Sequence, residues 1–130
     1  MKKTIAVSLW LGQVTSEEEL DDYVEISYSE DGRDISSAFL REFSIDQDDF
    51  DEDFFECAFR TNNSCFLSEL LNGCSYEEEV IPCFEQKIGG GLNMEYNAVI
   101  LMYEYDYPVL STPENSKFTF TGTINIVISV

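Results

Sequence analysis

"YNAVILMYEYDY", residues 96 to 107, is the stretch on which the fold turns. From Ala98 to Met102 it is apolar at consecutive positions, so a strand here must bury both faces and belongs in the middle of a sheet. Beyond that it alternates Tyr103, Tyr105 and Tyr107 with acids, which predicts a ladder of three tyrosines on one strand face, structural rather than ligand-binding. A second strand follows in "KFTFTGTINIVISV", residues 117 to 130. Its alternation places Phe118, Phe120, Ile124, Ile126 and Ile128 on one face and Thr119, Thr121, Thr123 and Asn125 on the other.

At the other end, "MKKTIAVSLWLG" imitates a secretory leader, with two lysines before a short apolar run. No small-residue cleavage site follows, and the next segment is heavily acidic. Ile5, Val7, Leu9 and Leu11 alternate with Thr4, Ala6 and Ser8, the pattern of a half-buried strand. The segment is therefore expected to be strand one of a cytoplasmic protein. Trp10 is expected to pack beneath a neighbouring helix rather than anchor an interface. No apolar run approaches the roughly 20 residues of a membrane span.

Between these ends the signals alternate. Ser16 with Glu19 forms a capping-box pattern, and Leu20, Tyr23 and Val24 make the apolar stripe of a helix whose remaining circumference is acidic. "SEDGRD" predicts a turn through Asp31-Gly32. "SSAFLREF" predicts a short helix capped by Ser36 or Ser37. "DFFECAFR" reads as a strand with Phe55, Cys57 and Phe59 on one face, and "TNNS" as a turn. "FLSELLNG" is a short helix ended by Gly73. Ser75 and Glu78 suggest another capping box, and Pro82 must begin a new helix or kink that one. The order β-α-α-β-α-β-β predicts an α+β fold, helices packed against a mainly antiparallel four-stranded sheet, in a single domain over 1–130.

Twenty-six acids against seven bases give a net charge of −19 in a chain that is still 44% apolar. Such a charge repels nucleic acid and anionic membranes and attracts cationic partners. It is also concentrated: the segment Thr15 to Glu56 holds 17 acids and two bases, Arg33 and Arg41, a net of −15. Within it, "SIDQDDFDEDFFECAF" (44–59) invites a calcium reading. No register of that run puts oxygen ligands, a glycine and a final glutamate at the positions an EF-hand loop needs.

Catalysis finds little support. The chain has no histidine, which removes the commonest general base and every Ser-His or Cys-His relay. "GGG" at 89–91 lacks the Lys-Ser/Thr of a phosphate loop and suits a helix C-cap. The four cysteines, Cys57, Cys65, Cys74 and Cys83, include no C-x-x-C pair, so they are read as reduced, packed thiols, with no metal and no cofactor. What remains is binding. One intensely acidic surface without catalytic equipment suits a fast inhibitor of a basic protein, drawn in by long-range attraction. Its candidate contacts are Asp48, Asp49, Asp51 and Asp53 of the acidic run and Glu17, Glu18, Asp21 and Asp22 on the outer face of the first helix.

Several short motifs occur together and in order: Trp10-Leu11-Gly12, Ser16-x-x-Glu19-Leu20-x-x-Tyr23-Val24, Tyr28-x-x-Asp31-Gly32, Asp51-Glu52-Asp53-Phe54, Ser75-Tyr76 and Tyr96-Asn97-Ala98-Val99. In these the chain resembles the bacterial immunity protein 22 family of polymorphic toxin systems, from about residue 8 to residue 122. The resemblance implies a cytoplasmic protein that neutralises a cognate toxin, without catalytic residues or cofactor. A basic nuclease-type effector would suit the charge. The alternative from another class is an acidic nucleic-acid mimic that blocks a DNA-binding protein. A mimic should space its carboxylates like phosphates, roughly one charge per 1.7 Å of duplex axis, and the clumps at 17–25 and 46–56 do not.

Overall fold

The structure is a computed structural model that describes residues 1–31, 35–49, 51–110 and 112–129. Four long strands form one antiparallel sheet: β1 (Lys2–Gly12), β4 (Phe55–Phe66), β5 (Gly91–Tyr103) and β6 (Phe118–Ser129), in the order β4-β5-β1-β6. β5 is internal, as its uninterrupted apolar run requires. The helices are α1 (Glu17–Val24), α2 (Ala38–Glu42), α3 (Leu67–Leu70) and α4 (Glu77–Ile88). A small hairpin, β2 (Ser27–Tyr28) with β3 (Ile35–Ser36), stands apart from the main sheet. The fold class is the expected α+β, with this hairpin added; α4 is the helix read ahead of the glycines at 89–91, which the order β-α-α-β-α-β-β did not count. The connection between β2 and β3 includes residues 32–34, so the expected Asp31-Gly32 turn lies in part outside the described residues.

The sheet is covered on both sides. Ile5, Val7, Leu9 and Leu11 of β1 pack with Val99 and Leu101 of β5 against Leu67, Leu70 and Leu71 around α3 and Val80 and Phe84 of α4. Trp10, on the opposite side of β1, joins Ala98, Ile100 and Met102 beneath Leu20 of α1 and Phe39, Leu40 and Phe43 around α2. Trp10 is fully buried, its ring 5.0 Å from that of Phe39 and 5.2 Å from those of Tyr107 and Phe120. It is a core residue, and truncating it to alanine would cost about 3–5 kcal/mol.

Two local irregularities decide which residues face which cluster. β6 pairs Leu9 with Gly122 but Trp10 with Phe120, so one extra residue bulges out between them. Phe118 and Phe120 therefore join the Trp10 side, whereas Ile124, Ile126 and Ile128 join the α3–α4 side. The single face expected from strict alternation is split. Likewise β5 ends at Tyr103, and Glu104 adopts a left-handed conformation (φ 56°). Tyr103 faces the α3–α4 cluster while Tyr105 and Tyr107 turn to the other, so the expected one-faced tyrosine ladder does not form.

Three further expectations are corrected. "TNNS" is not a turn: β4 runs through it as an edge strand, with pairing interrupted after Phe59 and resumed at Ser64. An edge strand has one partner, so looping out costs half the ladder it would cost in the middle. The Ser75–Glu78 capping box is replaced by Tyr76 as N-cap, without a side-chain cap. Ser75 instead donates from its backbone N–H to Glu56, at 3.1 Å. Helix α4 runs through Pro82 as one element, so the proline starts no new helix. The N-caps of α1 and α2 are as expected: Ser16 Oγ accepts from Glu19 N–H at 3.2 Å and Ser37 Oγ from Leu40 N–H at 3.0 Å. Helix α3, by contrast, ends at Leu70 with Leu71 as its C-cap rather than at Gly73.

Candidate partner-binding surface

All eight candidate acids are exposed. The first helix displays them in two rows, because residues four apart share a helix face. Glu17 and Asp21 approach β4, where their charges add to burial in raising the pKa of the Cys57 thiol. Glu18 and Asp22 line a surface cleft of about 600 Å³ between α1, α2 and the approach to β6. There Lys117 reaches Glu19 at 2.6 Å and, with Thr15, lowers its pKa. Deeper in the same region Glu42 accepts bonds from Tyr23 and Ser116. Burial first, and then Glu42, hold the Tyr23 hydroxyl well above its ordinary range.

The acidic run is divided as well. It forms two 3-10 turns, Gln47–Asp49 and Glu52–Phe54. Asp51 accepts from Asp53 N–H at 2.9 Å and Asp46 from Asp48 N–H at 3.0 Å, so those two carboxylates shape the loop. Asp48, Asp49 and Asp53 have no side-chain hydrogen bond among the described residues. Asp49 lies near enough to Tyr105 to help raise that hydroxyl's pKa, which burial chiefly pushes up to about 12. Asp53 borders a separate cleft with Tyr76 and Glu104. Glu18 and Asp22 thus border one cleft and Asp53 another, so the eight acids do not converge on a point. Among the described residues no three His, Cys, Asp or Glu side chains are grouped to hold a metal ion.

One carboxylate is built in rather than displayed. Glu56 accepts from the Tyr103 hydroxyl at 2.7 Å and from both the N–H and the hydroxyl of Ser75. Burial, then Glu56, keeps Tyr103 strongly protonated. Sequence reasoning counted Glu56 only as part of the charge and missed its link to Ser75 and Tyr103. The signal was Ser75-Tyr76 itself, a small polar residue and an aromatic just before a helix. The thiols are all unpaired and partly buried, and Cys74 is pushed up to about 11 by burial and by Glu56.

No helix among the described residues is long and apolar enough to cross a membrane. Comparison with known proteins gives the class first: the matching family model is one of immunity proteins, which neutralise a cognate toxin and are generally not enzymes. The chain belongs to the Immunity protein 22 family, whose model matches residues 7–126. No curated protein and no solved structure matches the chain.

Proposed function

We propose that this protein neutralises its toxin by direct occlusion, presenting the acidic surface between Thr15 and Glu56 to a basic effector of the nuclease type, as a single domain in the cytoplasm. The observation that carries the reading is the net −15 of that segment, with all eight candidate acids exposed. An enzyme that grips nucleic acid needs a cationic cleft, and a cleft of that kind is what such a field attracts over several ångströms. Glu17, Glu18, Asp21, Asp22, Asp48, Asp49, Asp51 and Asp53 are the proposed contacts, and no cofactor or metal takes part.

The test is a pair of triple variants, Asp48→Lys, Asp49→Lys and Asp53→Lys against Glu78→Lys, Glu79→Lys and Glu95→Lys. Asp51 is left in place because it shapes its turn. Both should fold, since the replaced side chains are exposed. The loop variant should associate more slowly with the toxin, show a weaker salt dependence and lose protection of toxin-expressing cells. Protection lost by the Glu78–Glu79–Glu95 variant alone would assign the interface to another face.

A further inference from the structure

A cleft of about 410 Å³ opens where the start of β4, the start of α4 and the end of β5 meet. Its walls combine the carboxylates of Asp53, Glu56 and Glu104 with the rings of Phe54, Tyr76 and Tyr103. We propose that this cleft is a socket for one arginine side chain of the partner. The inference rests on the toxin-binding reading and adds a defined anchoring point to it.

The chemistry of the walls selects the occupant. Aromatic faces attract cations, and a planar guanidinium stacks on them while its N–H groups point outward to carboxylates. An anionic group would meet the carboxylates of Asp53 and Glu56 here, with Glu104 already paired to Lys3. Glu56 is held in position by Tyr103 and Ser75 before any partner arrives, which lowers the ordering cost of a bound donor. Lys3 also lines the cleft and pairs with Glu104, so the carboxylates left for a partner's guanidinium are those of Asp53 and Glu56.

The aromatic side is unusual for a folding motif. Tyr76 occupies the N-cap of α4 in a left-handed conformation (φ 57°) and makes no cap bond. Asparagine or aspartate would suit both the dihedral and the cap better. The ring is 46% exposed and stands 6.1 Å from Tyr103 in an edge contact. Phe54, 42% exposed, lines the same cleft. Two large rings left half in water at the rim of an acidic cleft fit the anchoring pockets that dominate interface energetics.

The experiment has two arms. In the first, the isotopically labelled protein is titrated with the peptide Gly-Arg-Gly and with its neutral citrulline counterpart, followed by amide NMR. Saturable shifts confined to residues 53–56, 75–77 and 103–104, seen with arginine and absent with citrulline, are expected. Equal shifts with both peptides, or none with either, would overturn the socket. In the second arm, Tyr76→Asn and Asp53→Asn are measured for unfolding and for affinity to the toxin. Tyr76→Asn should unfold no more easily than the parent, yet bind about 30-fold more weakly, the size of a single anchoring contact. If a variant with only Asp48→Lys and Asp49→Lys loses the toxin while Tyr76→Asn binds like the parent, the socket fails and the acidic-surface reading stands. If arginine titrates the cleft but the protein gives no protection against the toxin, the cleft still holds a guanidinium, while the toxin-binding reading fails and with it the assignment of that arginine to a toxin.

Discussion

The hydroxyl of Ser8 donates a 2.7 Å hydrogen bond to the carbonyl of Tyr105, 97 residues away in sequence. The same oxygen accepts from the Tyr107 N–H at 3.0 Å and lies 3.0 Å from the Thr123 hydroxyl. Ser8 is fully buried in the middle of β1. It fastens the segment that leaves β5 through the left-handed Glu104 back onto the sheet.

Ser8→Ala should therefore destabilise far more than the loss of a small polar group suggests. Removing the hydroxyl leaves a buried carbonyl and a buried N–H without that partner, at about 1–3 kcal/mol for each group left unmet. Urea unfolding should show a lower midpoint with an unchanged slope. A midpoint equal to the parent's would mean that the backbone of 105–107 finds other partners.

Gly12→Ala should also be costly, for a steric reason. A Cβ at this position would lie 2.5 Å from the Lys117 carbonyl oxygen and 2.8 Å from the Phe118 ring. The first neighbour is backbone and already accepts from Gln13 N–H at 3.1 Å, so it cannot simply swing aside. Overpacking of this kind costs about 1–3 kcal/mol, visible as a lower melting temperature.

Stability should fall at alkaline pH, and Tyr103 should carry part of the fall. Burial and the Glu56 carboxylate raise its pKa above the ordinary value of 10.0. The unfolded chain then ionises first. This contribution is fully present below the unfolded pKa and is lost as pH rises from about 10 toward the folded value. Tyr103→Phe should be less stable at neutral pH by about 1 kcal/mol. Its stability should decline less steeply between about pH 9 and 11. Parallel pH profiles for the two proteins would remove Tyr103 from the account.

Cys74 should resist alkylation in the folded protein. Its thiol is pushed from 9.0 up to about 11, which lowers the thiolate fraction at pH 8 by about 100-fold. Iodoacetamide followed by mass spectrometry should label Cys74 rapidly only after denaturation. Replacing Cys74 by serine should leave toxin binding intact.

Much of the architecture could be read from the residues because its signals are local. The cap at Ser16, the apolar stripe Leu20-Tyr23-Val24 and the unbroken run in β5 each need only their own neighbourhood. What misled was periodicity in a sheet with apolar material on both sides. Phe118 and Ile124 are equally welcome in either cluster, so alternation alone could not reveal that the bulge beside Gly122 sends them to opposite ones. Glu104 hid in the same way, since a left-handed glutamate has no sequence mark. The acids of the candidate surface were legible as exposed, but their grouping was not. Glu18 and Asp22 share a cleft with Lys117, and Asp53 shares one with Tyr76 and Glu104, only because distant segments are folded together.

The double covering of the sheet has a geographical consequence. A wall plastered on both sides offers a visitor little to lean on, since Val7 to Leu11 of β1 and Ala98 to Tyr103 of β5 are shut between the two apolar layers. Recognition is pushed to the perimeter, to helix flanks, connecting loops and the outer margins of β4 and β6. At such a perimeter, side chains can be exchanged one for another without disturbing either apolar layer. On the acidic-surface reading proposed above, a scaffold of this kind would change the toxin it answers to by altering its rim.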